Sequence, residues 1–438
     1  MKKVAIIGGG YTGLVTAYRL AKKGIQTTIY ERGTELGGLV VGFEIDGVPL
    51  ERAYHFLYTT DSEILSLSEE LGIRENISFY NSSVSLYYND KLYPFMTPVD
   101  LLRFKEISFI SRIRNGLAML YLSYVRNWFP LTQITAYEWL LKYTGEDSMR
   151  VIWEPLLKGK FDTYYDKIAM SWLWARIRIR ARSKDKGDVT EKLGYFRGGF
   201  RLLSDALASE IKRHGGKVVT NAEIKRIDSE GEKPYLIHGE EKKEFDLIIS
   251  TTPTNVFSKL VKESNLVDEK YLESLRQIDY LGAVILVFSS SQTITPYYWH
   301  NVNDEKIPFV VFLSKSALAG SEHFKGKNIY YIGSYVPHNH EDFVCDDEKI
   351  KKNWYMGIQK MFPDFDEQKI EESHIFRFKD AQHIVGVDYP SRIPDYETKI
   401  PGVYLANFSQ IFPNDRGTNY AVDEGNKMAD RILKKFKM

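Results

Sequence analysis

Gly8, Gly10 and Gly13 form a G-x-G-x-x-G series within the run Gly8-Gly9-Gly10-Tyr11-Thr12-Gly13. Gly8 allows a tight turn, Gly10 lets backbone approach a pyrophosphate, and Gly13 lets a helix pack closely on the preceding strand, so that phosphates meet the positive helix end. Glu31 follows at roughly the twenty-residue offset where a carboxylate accepts both hydroxyls of a ribose and disfavours a 2′-phosphate. The chemistry these residues fit is dinucleotide binding, with NADP disfavoured. Gly37 and Gly38 add a second place where backbone lies against a cofactor without side chains between.

Two further groups carry candidate chemistry. The run from Trp172 to Arg182 places Arg176, Arg178, Arg180 and Arg182 at every second position. An extended chain puts all four on one face, and a helix pairs them at i,i+4, where like charges repel unless anions are near. Arg178 and Arg180 are therefore expected beside an anionic substrate group or lipid headgroup, against the plainer reading of a solvated basic face. Among nine histidines, His338 and His340 are two apart, as on one strand face, but no third ligand accompanies them and no metal is assigned.

The elements that must position these residues follow from periodicity. Val4 to Ile7 reads as a strand, Leu14 to Ala21 as a helix closed by Gly24, and Thr27 to Tyr30 as a second strand, a βαβ unit. From 98 to 191 long helical patterns carry aromatic and basic residues. A helix from Phe200 to Ile211 and strands near Val218, Ile224 and Phe245 restore α/β alternation. Beyond about 275 the runs Ala283 to Phe288, Phe309 to Leu313 and Tyr330 to Ile332 predict a mostly antiparallel sheet, before a strand at Val403 and a final helix.

The chain has 438 residues, with 59 Lys and Arg against 58 Asp and Glu, so no global field favours nucleic acid or an anionic membrane. Its one cysteine, Cys345, excludes an intramolecular disulfide and suits a reducing compartment, hence a cytoplasmic expectation. The apolar run after Lys3 stops at Gly8, too short for a signal peptide, and no stretch reaches the length of a spanning helix. Arg103, Lys105, Arg112, Arg114 and Arg126, interleaved with aromatics such as Phe104, Phe109, Tyr121 and Tyr124, leave peripheral membrane contact open.

Glu31 followed by Gly37-Gly38 resembles the extended N-terminal FAD motif of the flavin amine oxidase, protoporphyrinogen oxidase and carotenoid desaturase superfamily. Further matches lie at Arg197-Gly198-Gly199, Ala222-Glu223-Ile224, Asp246 to Ser250, Pro401 to Ala406 and the helix start Asn419-Tyr420-Ala421-Val422. The resemblance implies FAD as cofactor and contacts at Gly8, Gly10, Tyr11, Thr12, Gly13, Glu31, Arg32, Gly37, Gly38, Leu39, Ile224, Thr251, Asn407, Thr418, Asn419, Tyr420 and Ala421. It departs at Leu39, where the family has Arg, and at Ala406-Asn407-Phe408, where the family has Ala-Gly-Asp/Thr. Gly417 stands where true amine oxidases place an aromatic three residues before the Tyr420 position, which argues against simple amines.

Thr135 to Leu140 and Glu154 to Gly159 look like the helical substrate domain of protoporphyrinogen oxidases. Asp46-Gly47, Tyr54-His55-Phe56 and Tyr58-Thr59 look like the flavin-proximal segment of UDP-galactopyranose mutases. His55 is accordingly the candidate catalytic residue. The expected fold is α/β: a Rossmann-like FAD-binding domain of residues 1–90, 192–275 and 398–438, interleaved with a substrate domain of 91–191 and 276–397 that has a helical part and a mainly antiparallel sheet. The expected function is an FAD-dependent oxidoreductase that dehydrogenates a C–C or C–N bond of a bulky small-molecule substrate, with an anionic or lipid-linked one left open. Alternatives are a redox-neutral flavin mutase acting on a sugar nucleotide and a non-enzymatic flavin-binding protein. With one fingerprint only, no separate NADPH domain is expected, and the sequence sets no oligomeric state.

Overall fold

Val4, Ala5 and Ile6 are fully buried in the strand Lys3–Ile7, as a continuous apolar run requires at the centre of a parallel sheet covered on both faces. In the computed structural model, which describes residues 1–183 and 191–438, this strand lies third in a five-stranded sheet. The order is Lys217–Val219, Gln26–Tyr30, Lys3–Ile7, Leu247–Ser250 and Val403–Leu405, and every pairing is parallel. The strands come from three distant parts of the chain, so the segments that build the rest of the molecule are inserted between them in sequence. Helices Tyr11–Lys22 and Thr418–Phe436 cross in close contact on one face. Thr12 Oγ1 donates to the Ala421 carbonyl and Thr16 Oγ1 to that of Gly425, where any Cβ would collide with Val15.

A second sheet of seven strands has the order Ile370–His383, Tyr280–Ser290, Asn328–Val336, Val311–Ser314, Trp299–Val302, Val84–Tyr88 and Lys91–Pro94. All pairings are antiparallel except that between Trp299–Val302 and Val84–Tyr88. This sheet thus takes in the strand Val84–Tyr88, which precedes residue 91, as the first half of a hairpin with Lys91–Pro94. Beside it stand the helices Phe109–Tyr124, Ala136–Thr144, Glu154–Phe161 and Met170–Arg182. A π turn, Met149–Trp153, leads into Glu154–Phe161. The span 184–190, inside the expected 91–191 segment, lies outside the described residues. Among the described residues no helix is long and apolar enough to cross a membrane.

The α/β architecture and the mostly antiparallel second sheet agree with expectation. The Arg run is helical, in Met170–Arg182, so its arginines fan around an axis instead of sharing one face. His338 and His340 do not sit on a strand: His338 bonds the Lys379 carbonyl, and His340 caps the short helix Glu341–Val344.

Candidate active site

At the carboxyl ends of Lys3–Ile7 and Leu247–Ser250 the strand order reverses, the place where open α/β sheets bind ligands. Gly8 takes φ +110° there, and a Cβ on it would strike Thr251 Oγ1, which donates to the carbonyl oxygens of Ile7 and Gly8. A Cβ on Gly13 would collide with the Gly8 carbonyl, so the helix can come this close to the turn only with glycine at both positions. Gly10 differs: nothing lies within 3.9 Å of the position its Cβ would take, and the residue faces a cavity. The first amides of helix Tyr11–Lys22 are left for a ligand. Gly37 N–H donates to the Gly9 carbonyl and brings the second glycine pair against the first.

The carboxylate of Glu31 accepts from the backbone N–H of Gly9 and of Gly33, each at 2.7 Å. These two bonds fix its direction and leave a lone pair on each oxygen for a hydroxyl donor. The cavity, of about 1620 Å³, runs from here past Arg32, Leu39 and Ile224, along Thr251 and Asn407, to Thr418–Ala421 and then His55. Gly8, Tyr11, Thr12 and Gly38 also line it. Tyr11 is tied by its hydroxyl to the Phe200 carbonyl, and Asn419 accepts the Ile64 N–H, so both act as much in holding the wall as in facing the space. Asn407 has its side chain bonded on both sides: Oδ1 accepts from Ser409 in its own turn, and Nδ2 donates to the Thr252 carbonyl of a distant segment. Gly13 is the one member of the expected set that supports the turn from behind without lining the space.

The volume exceeds the roughly 300–1,000 Å³ of a pocket for one drug-sized ligand. The nucleotide end has the glycine cradle and ribose acceptor of a dinucleotide, and the remainder accommodates a second molecule. These residues fit FAD.

His55 lies on the wall between the two parts. Its Nδ1 is 2.8 Å from the Ala53 carbonyl, which can only accept, so Nδ1 carries the proton and Nε2 keeps a lone pair. Burial brings its pKa down to about 3, with Arg416 and Lys315 pressing the same way against the Ala53 bond, and the ring is neutral at ordinary pH. The segment is held from below by a buried pair. Lys315 Nζ donates to the His55 carbonyl at 2.8 Å and stands 3.7 Å from Glu51 Oε2, whose carboxylate also accepts from Tyr195 Oη and the Phe200 N–H. Burial lowers Lys315 to about 8 and raises Glu51.

Beyond His55 the cavity wall gathers Tyr54, Lys160, Arg176, Tyr335, Asp415 and Arg416 from five separate segments. Arg416 Nη2 donates to Tyr335 Oη at 3.0 Å, Lys160 Nζ is 4.2 Å from the Tyr335 ring centre, and Arg176 lies 3.4 Å from Asp415. Burial alone would raise the Tyr335 phenol, but the charges of Lys160 and Arg416 bring it down to about 7. With Tyr335 ionised, Lys160, Arg176 and Arg416 face the Asp415 carboxylate and the phenolate, and Glu191 on the same cavity wall also acts on Arg176.

Of the two arginines expected at the substrate, Arg180 lines the cavity and Arg178 does not. The Arg178 guanidinium stacks on Trp174 at 5.0 Å, on the side of the helix turned from the space. The helix presents Arg176 instead, one turn before Arg180. Lys160, Tyr335, Arg416 and the Glu51–Lys315 pair carry no motif and were not singled out from sequence. The nearest signal is Arg176, inside a run whose helical form pairs it with Arg180, although Arg178 and Arg180 are the residues expected at the substrate.

The family model for flavin containing amine oxidoreductases matches residues 11–433 of this chain. The mitochondrial protoporphyrinogen oxidase of Nicotiana tabacum is 24% identical over 341 residues, covering 67% of each chain. The chain spans about half the length of the first curated relatives it matches, 52% in each case. Among solved structures, a protein of Exiguobacterium sp. 255-15 provisionally called a protoporphyrinogen oxidase superposes with TM-score 0.79 at 18% identity, over 99% of both chains. Reduced UDP-galactopyranose mutase superposes with TM-score 0.78 at 14% identity, over 99% of this chain and 96% of that one.

Proposed function

The chain belongs to the flavin containing amine oxidoreductase family, its cofactor is FAD, and from that premise we propose an FAD-dependent oxidoreductase that dehydrogenates a C–C or C–N bond of a bulky, anionic substrate. The observation that carries this reading is the cluster of Lys160, Arg176 and Arg416 on the wall of a large cavity continuous with the dinucleotide cradle. When bound, FAD supplies a two-electron acceptor. The protein's own part is placement, exclusion of water and proton handling. Arg176 and Arg416 pair with a carboxylate or phosphate of the substrate, for which planar guanidinium groups are suited. Tyr335 Oη, ionised near neutral pH beside two cations, takes a proton from the substrate. His55 Nε2 accepts a hydrogen bond from a ligand N–H or O–H, and apolar walls including Trp153, Met119, Trp299 and Phe378 keep the space dry.

The test is anaerobic mixing of the flavin-loaded protein with matched pairs of hydrogenated substrates, carboxylated or phosphorylated against uncharged. Bleaching of the oxidised-flavin band by the anionic members supports the reading, and preferential bleaching by neutral or cationic amines overturns it. The resemblance of Asp46 to Thr59 to the mutase segment, with His55 on the cavity wall, favours a second reading, a redox-neutral mutase. Turnover of a sugar nucleotide only after dithionite reduction, with no net consumption of reductant, would select it.

A further inference from the structure

Helix Phe109–Tyr124 is packed with its more polar side inward. Ser111, Asn115, Ala118 and Leu122, at i, i+4, i+7 and i+11, are buried, and Ser111 and Asn115 are satisfied internally by Asp147 and by Trp153 Nε1. The opposite stripe, at Ile110, Ile113, Leu117, Tyr121 and Tyr124, faces out: Ile110 is 70% exposed, Leu117 61% and Tyr124 77%. A surface helix ordinarily shows the reverse arrangement. The apolar surface continues on both sides, through Leu102, whose carbonyl accepts from Arg112, and Tyr143, whose carbonyl accepts from Arg114. An apolar patch of this extent marks an interaction site.

The charge around the patch selects its occupant. Arg103, Lys105, Arg112, Arg114 and Arg126 border it; none lies within ion-pair distance of a carboxylate among the described residues, and Arg103 acts on Asp100 from farther away. Past the helix end, Arg178 lies within reach of Arg182 and Arg126, whose repulsion, after burial, lowers its pKa; these three extend the basic border. An apolar centre with aromatic Tyr121 and Tyr124 and an unpaired basic rim matches a bilayer with anionic headgroups. The cavity reaches the same place: Gly116, Met119 and Leu120 of this helix, and Leu101 of the preceding one, line it, while Leu120 is also half exposed. At 1.5 Å per residue the helix is too short to span and is placed to lie in the surface plane.

We infer that the outer face of helix Phe109–Tyr124 seats this protein on an anionic lipid surface, with the mouth of the cavity turned toward the lipid. This goes beyond the oxidoreductase reading and does not depend on it, because docking is read without turnover. The experiment is co-sedimentation of the FAD-loaded full chain with vesicles of phosphatidylcholine alone and of equimolar phosphatidylcholine and phosphatidylglycerol, at low and high salt. The wild type is expected to partition onto the anionic vesicles, more weakly in high salt and on the neutral ones. Ile110→Glu and Tyr124→Glu, neither of which lines the cavity, are expected to weaken partitioning roughly tenfold or more while leaving the flavin spectrum and Tm unchanged. If either variant fails to hold FAD, Ile110→Gln takes its place, and the lipid-charge and salt comparisons on the wild type still decide. Absence of wild-type partitioning, or equal partitioning on both vesicles, overturns the proposal. So does a concentration-dependent dimer that these substitutions dissolve, which would make the face an interface between copies.

Discussion

Lys160 and Tyr335 meet on the cavity wall with the ammonium nitrogen 4.2 Å from the centre of the phenol ring, and Arg416 donates to the same phenol oxygen from another segment. Both cations stabilise the phenolate. We expect a tyrosinate absorbance that titrates near pH 7 in the wild type and is missing in Tyr335→Phe. Lys160→Met should move the titration upward, because burial then acts with one opposing charge fewer. The linkage has a definite sign: the folded pKa lies below the unfolded one, so the phenolate's contribution to stability is absent below about pH 7 and grows as pH rises toward 10, until Lys160 itself gives up its proton. A spectrophotometric pH titration of wild type and both variants checks this, and a wild type with no tyrosinate below pH 9 sinks it.

The neutral ring of His55 gives a second pH expectation. With burial holding its pKa near 3, the rate profile should carry no limb at the ordinary histidine value of 6.5, and His55→Gln should lower turnover without moving whatever limb Tyr335 produces. An inflection near 6.5 that His55→Gln abolishes would contradict the geometry.

Two glycines of one fingerprint should behave oppositely on substitution. Gly10→Val puts its side chain into open cavity and is expected to give a folded, colourless protein. Gly13→Ala drives a methyl into the Gly8 carbonyl, an overpacking that costs about 1–3 kcal/mol of stability. Thermal melts of both apoproteins and flavin content after reconstitution separate the cases. Glu31→Ala removes the acceptor for two backbone amides as well as for ribose, each charge-assisted bond being worth about 1.5–3 kcal/mol, so FAD retention should fall by at least roughly tenfold.

The nucleotide half of the molecule was legible because its signal is local. Gly8, Gly10, Gly13 and Glu31 fall within one βαβ unit, where backbone geometry dictates residue type, and the central strands of the parallel sheet follow from the short apolar runs Val4 to Ile7 and Leu247 to Ile249. The substrate half was not. Lys160, Arg176, Tyr335 and Arg416 come from separate elements, and no spacing along the chain records that they meet. Asn407 shows what a motif match leaves open: the position lines the cavity, but its side chain is bonded to Ser409 and to the Thr252 carbonyl. Glu51 and Lys315, 264 positions apart, were equally silent, though an acid inside the buried strand Val48–Glu51 could have prompted a search for a partner.

That pair is testable by its asymmetry. Lys315→Met leaves the Glu51 carboxylate buried with only Tyr195 and an amide for company, which should cost about 3–5 kcal/mol. The double variant Glu51→Gln with Lys315→Met removes both charges and should recover part of that loss in urea unfolding. If the double variant is as unstable as the sum of the singles, the two side chains do not act as a pair.

The helical phase of the arginine run yields the sharpest test of substrate charge. Arg176 sits on the cavity wall 3.4 Å from Asp415, whereas Arg178 stacks on Trp174 outside it, although both lie in one helix and carry the same charge. A long-range field would make them interchangeable, since they are only two residues apart. A direct contact would not, because successive even positions on a helix point about 200° apart. Arg176→Ala is therefore expected to raise KM for an anionic substrate by roughly ten- to a hundredfold, the worth of one charge-assisted hydrogen bond, and Arg178→Ala to leave KM unchanged. Equal effects from the two, vanishing together at high salt, would mean that the cluster attracts substrate from a distance and does not hold it.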